Sequence, residues 1–174
     1  MKIEEEFTML AIEREEEGQL DHLQTIIAAA LGSVGSGEYR HVFIKRPVSV
    51  EDVTYDGEFS CAISTSAIFH RFGLLAATHT TVRGLEDEVL QSSDDWHMLD
   101  GPLLGAIGVL ERKRHLDGSV KNRHTFICVG DGMAVHNGLE DGVWAPRLCA
   151  IESFAHHTGE QRRAEVYFIH RALL

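Results

Sequence analysis

The strongest constraint on how this chain can fold lies between His124 and His136, which read HTFICVGDGMAVH. Two short runs of aliphatic, aromatic and β-branched residues meet at Gly130, Asp131 and Gly132, so residues 125–129 and 133–136 are expected to be the strands of an antiparallel hairpin. The loop type decides what such a hairpin can do. A three-residue loop with Gly132 left-handed in a bulge pairs Val129 with Met133 and Phe126 with His136, and His124 and His136 then face the same side. A two-residue Asp-Gly loop puts them on opposite faces. Apolar neighbours on both faces of the first strand make Cys128 a core residue.

Ahead of the hairpin the pattern is helical. Leu20, Leu23, Ile26, Ile27, Ala30 and Leu31 recur at three- and four-residue spacings, predicting an amphipathic helix that runs to about residue 31, with Glu15, Glu16 and Glu17 toward its start. Gly32, Gly35 and Gly37 end it, and because they follow a helix with no Lys-Ser or Lys-Thr after them, a phosphate loop is not expected. Residues 39–53 are mixed, with a short strand at 41–45 and an interruption at Pro47. In FSCAISTSAIFHRFG, Ser60 is the expected N-cap, Ala62, Ile63, Ala67, Ile68 and Phe72 form the apolar surface, and Gly73 follows the end. A further helix over 82–90 sets Val82, Leu85 and Val89 on one face. Strands are expected at 105–110 and 166–169, the latter closing the sheet, with an Asp117-Gly118 turn between. Helices followed by antiparallel strands predict an α+β fold.

The chain has 174 residues, which predicts one domain over 1–174. Sixteen Lys and Arg against 27 Asp and Glu give a formal charge of -11, which argues against a nucleic acid or anionic membrane partner. No apolar stretch approaches the roughly 18 residues of a membrane span. The start, Met1-Lys2-Ile3-Glu4-Glu5-Glu6, lacks the basic opening and apolar run of a secretory signal, so a cytoplasmic chain is the default expectation, with export by another route or a trimmed signal as the alternative.

Three cysteines, at 61, 128 and 149, are too few for a disulfide framework and leave at least one free thiol. Cys149, in RLCAI, reads as core like Cys128. Cys61 is different, because the first turn of a helix puts unpaired N–H groups and the positive dipole end beside its sulfur, an environment that lowers thiol pKa values. Of eleven histidines, His22, His70, His97, His115, His156, His157 and His170 have no spacing that implies chemistry, whereas His124 and His136 bracket the hairpin. A shared metal is not expected: four residues of strand separate His124 and Cys128 by about 13 Å, beyond the reach of one zinc ion.

A cysteine at a helix start, then a strand, a histidine opening the next strand, a glycine hairpin and a second histidine form an order that resembles the NlpC-type cysteine peptidases, a papain-like family of bacterial cell-wall hydrolases. RHTFICVGDGMAVHNG is similar to that family's histidine hairpin and FSCAISTSAIFHRFGL to its cysteine helix. GAIGVLER resembles the preceding strand and YFIHRALL the last one. The similarity covers residues 55–174, with 20–31 standing for the leading helix and the rest of 1–54 for an N-terminal extension and insertion.

The resemblance implies a papain-like domain with N-terminal helices packed on an antiparallel sheet. It implies Cys61 as nucleophile, His124 as general base and then acid, His136 as the residue orienting His124, and Tyr55 near the oxyanion site. The reaction implied is hydrolysis of an amide in a peptidoglycan stem peptide, with no cofactor. An acyltransferase or deamidase using the same residues, or a non-catalytic binding module, are the alternatives. Ser60 stands where the family has an acidic residue, and Ala62 and Ile63 stand where it has Ser-Gly, departures that bear on substrate preference.

Overall fold

The computed structural model describes residues 20–114, 120–154 and 162–174. Glu15 to Glu17, His115, the Asp117-Gly118 turn, His156 and His157 lie outside the described residues. Among the described residues three α-helices, α1 (His22–Gly32), α2 (Cys61–Arg71) and α3 (Val82–Gln91), precede the main sheet. The main sheet follows, with strands β3 (Trp96–Leu99), β4 (Ile107–Leu110), β7 (His124–Gly130), β8 (Met133–Glu140), β9 (Val143–Ala150) and β10 (Ala164–His170). Two ribbons, β1 (Phe43–Lys45) with β2 (Val50–Asp52) and β5 (Lys113–Arg114) with β6 (Val120–Lys121), stand apart from it. The protein is α+β with an antiparallel sheet, and among the described residues no helix is long and apolar enough to cross a membrane.

The strand order is β3-β10-β4-β7-β8-β9. β10 therefore does not close the sheet at an edge; it lies between β3 and β4, pairing Tyr167 with both Leu99 and Gly108. Two strands absent from the sequence pattern form the edges. In β9, Pro146 sits opposite Asn137, tolerated because an edge strand need not donate on its outer side.

The helices start and stop for local reasons. Asp21 caps α1 by accepting the Gln24 N–H at 2.9 Å, and Ile26 and Ala30 are its fully buried residues while Leu20 and Leu31 are exposed. Thr81 caps α3 through the Gly84 N–H at 3.0 Å, and Val82, Leu85 and Val89 are buried as the spacing predicts. After α2, the Leu74 N–H bonds the Phe69 carbonyl and the Gly73 N–H bonds that of His70, a paired C-terminal closure in which Gly73 takes φ of 74°. The core runs through Phe69, Leu85, Ile107, Phe126, Ile127 and Ile169, between the helices and the sheet. α2 packs on β7 and β8, which brings the start of the cysteine helix to the histidine hairpin.

Candidate active site

The hairpin is built differently from either sequence alternative. Asp131 (φ 52°) and Gly132 (φ 70°) form a two-residue turn of the kind that suits strand twist, and Gly130 (φ 99°) pairs with Met133. An irregularity between Cys128 and Gly130 leaves Val129 as an extra residue, a β-bulge. The bulge reverses the change of face that a two-residue loop would otherwise cause. Phe126 consequently pairs with His136, the register of the three-residue alternative, and the two histidines meet.

His124 Nε2 lies 3.0 Å from His136 Nδ1, with the rings nearly perpendicular at 78°. Phe154 meets the His136 ring edge-on, 5.0 Å between centroids, and itself packs 4.6 Å from Phe126. His136 also lies close to Gly138, where an added Cβ would come within 2.9 Å of Cε1. The His136 ring is thus held by an aromatic wall and a bare backbone.

Burial holds His136 down at about 4, while a hydrogen bond with the Asn137 main chain acts weakly the other way. His136 is neutral at pH 7. In the tautomer that makes His124 a base at Nδ1, the His124 Nε2–H donates to Nδ1 of His136. Between pH 6.5 and 4 the unfolded chain binds the proton that folded His136 refuses, so stability falls as pH drops through that window. Going from pH 7 to 4.5 should cost about 2 to 3 kcal/mol through this residue. Urea unfolding at the two pH values checks this: His136→Asn should lose less stability than wild type, and equal losses would remove burial of a neutral imidazole as the cause.

Cys61 opens α2 and its sulfur meets the Thr125 N–H, directly after His124 in β7. Burial pushes its thiol above the ordinary value, opposed by hydrogen bonds from the main chain of Thr125 and Ala62 and by the charge of Arg162. The low thiol pKa expected from a helix start is therefore corrected: desolvation outweighs the N–H groups, and Cys61 is a thiol at neutral pH. Among the described residues the buried Thr125 hydroxyl has no hydrogen-bond partner, and Thr125 acts on Cys61 through its backbone N–H.

Ser60 holds the N-cap position without capping. It is buried, and its hydroxyl donates to the Gly57 carbonyl at 2.9 Å, leaving the first-turn N–H groups of α2 clear of it. That carbonyl also accepts from Asn137 Nδ2 at 2.8 Å. Asn137, buried in β8 beside His136, thereby ties the histidine hairpin to the turn before Cys61. The turn itself is left-handed through Tyr55, Asp56 and Gly57 (φ 49°, 59° and 94°). Gly57 is needed there, since a Cβ would sit 2.8 Å from Trp144 Cβ. Tyr55 is 60% exposed, with its ring edge-on to Phe59, and the structure does not bring its hydroxyl into a hydrogen bond with Cys61.

No family model, curated protein or solved structure matches this chain.

The other two thiols lie elsewhere. Cys128 is buried and pushed up to about 12 by desolvation, and Cys149, half-buried opposite Ala134 in β9, to about 11. Among the described residues no three His, Cys, Asp or Glu side chains converge as metal ligands. Asn137, Gly138 and Arg162 are site residues that the sequence reading passes over. The signal for the first two is visible in AVHNG, where Asn and Gly, poor strand formers, interrupt a strand directly after a histidine.

Proposed function

We propose that the protein is a thiol-dependent hydrolase of an amide bond, on a papain-like fold, with Cys61 as nucleophile, His124 as base and acid, and His136 as the group orienting His124. The observation that carries this reading is the His124 Nε2 to His136 Nδ1 contact of 3.0 Å, made where the Cys61 sulfur lies against the N–H of the next residue. In the proposed reaction His124 Nδ1 takes the thiol proton as sulfur attacks the carbonyl carbon. The charge on the carbonyl oxygen falls to the uncapped N–H groups at the start of α2. His124 then gives the proton to the leaving nitrogen as the C–N bond breaks. Water attacks the resulting thioester, forming the acid and returning the proton to sulfur. Because the thiol starts protonated, His124 must act in the first step.

The substrate class we propose is a peptidoglycan stem peptide, supported by the resemblance of the histidine hairpin and cysteine helix to the NlpC-type enzymes. Purified muropeptides incubated with wild type and Cys61→Ala test it. New amine should appear with wild type alone. Release from no stem peptide would overturn the cell-wall reading, and equal release by Cys61→Ala would overturn the thiol's role.

A further inference from the structure

Arg162, just ahead of β10, is a buried cation whose guanidinium, among the described residues, makes no hydrogen bond to a carboxylate; the charges that act on it are those of Cys61 and, less, Glu111. It is 8% exposed. Its Nε and Nη2 donate to the Glu111 carbonyl, the former at 3.1 Å, and Nη2 also donates to the Asn122 carbonyl at 2.6 Å. The Glu111 carboxylate accepts instead from the Arg163 N–H at 3.3 Å. Among the described residues the guanidinium therefore has only neutral oxygens to bond. Burying a charge on those terms is expensive, because its hydrogen bonds all go to neutral oxygens.

Its anchors lie next to the residues of the candidate site. Glu111 directly follows β4, whose last residue, Leu110, pairs with His124. Asn122 lies two residues before His124 and three before Thr125, whose N–H meets the Cys61 sulfur. The Arg162 N–H bonds the carbonyl of Phe154, whose ring backs His136. All three attachments border the candidate site.

We propose that Arg162 is the counter-cation of Cys61: held on the carbonyls of Glu111 and Asn122, its guanidinium stabilises the negative charge that sulfur carries when the thiol gives up its proton. It is a positioning residue that acts through Cys61 and by charge. Among the described residues Arg162 is the charge that acts on the sulfur, with the titratable rings of His124 on β7 and His136 on β8 in the hairpin whose Thr125 N–H meets it. Glu111 enters through Arg162. The other helices packed on α2 spend their charges elsewhere, with Arg83 on Asp87, Glu86 on Arg123 and Glu88 on His79, while His22 of α1 interacts with His170. The purpose assigned to the pair rests on the hydrolase reading; the pairing itself is tested without substrate.

The test is the pH profile of Cys61 alkylation by iodoacetamide, read site by site by mass spectrometry in the full chain. In Arg162→Gln the midpoint should rise by about one pH unit, a tenfold loss of reactivity on the rising limb, while Arg162→Lys should stay close to wild type. Should either variant fail to fold, the arginine Nε resonance of wild type answers the same question: it should shift with the Cys61 midpoint and stay still in Cys61→Ser. Equal midpoints in wild type and folded Arg162→Gln, a rise in Arg162→Lys equal to that of Arg162→Gln, or a resonance that ignores Cys61 would overturn the proposal. No muropeptide turnover by wild type while the midpoint shift stands rejects the substrate reading alone. Turnover with equal midpoints rejects the pairing alone.

Discussion

With His124 replaced by alanine, amide hydrolysis is expected to fall by about 10²- to 10⁴-fold in kcat, with little change in KM. The loss is large because burial keeps the Cys61 proton on sulfur at neutral pH, so removing the base removes the route by which the nucleophile forms. His124 reaches the site through one paired position, Leu110 opposite His124 at the start of β7, and through its contact with His136. Steady-state kinetics of the purified variant, beside its thermal midpoint, is the check. A variant that folds and keeps activity within about threefold would contradict a base at this position. His136→Asn, which offers an acceptor to the His124 Nε2–H, should retain more activity than His136→Ala.

Gly108→Ala should be the most destabilising single-methyl change near the site, at about 3 kcal/mol. Gly108 sits in β4 between Phe126 of β7 and Tyr167 of β10. The Phe126 ring lies directly on its Cα, and a Cβ there would fall 2.1 Å from Cζ and within 2.6 Å of both Cε atoms. The ring has nowhere to go, because it is fully buried against Phe154 at 4.6 Å and Tyr167 at 5.9 Å between centroids. Displacing it also moves the aromatic wall behind His136, so activity should drop together with stability. An unfolding free energy from urea titration within about 0.5 kcal/mol of wild type would show that the ring yields freely, contrary to a close-packed interior.

The elements read from local pattern are those whose signals are local. α2 follows from its apolar spacing and Gly73 and α3 from its apolar spacing, and the pairing of Phe126 with His136 matches one of the two loop alternatives. The bulge at Val129 is not legible there, because nothing in FICVG separates a regular strand from one carrying an extra residue. The place of β10 between β3 and β4 depends on partners more than 50 residues away, as does the edge strand β3, whereas β9 forms a hairpin with β8 and is disguised by Pro146. Ser60 is misread as a cap because the competing acceptor, the Gly57 carbonyl, is created by a left-handed turn that Tyr55 and Asp56 do not advertise. Arg162 escapes for a similar reason: a charged residue reads as surface until its burial is known.

Because Cys61, Cys128 and Cys149 are all free thiols in one chain, the central claim can be tested by their relative alkylation rates in the native protein at pH 7. Exposure alone favours Cys149, which is half-buried while Cys61 and Cys128 are buried. The account predicts the opposite order, with Cys61 alkylated well ahead of both others and its lead abolished in His124→Ala. Labelling led by Cys149, with Cys61 as slow as Cys128 and indifferent to His124, would contradict it.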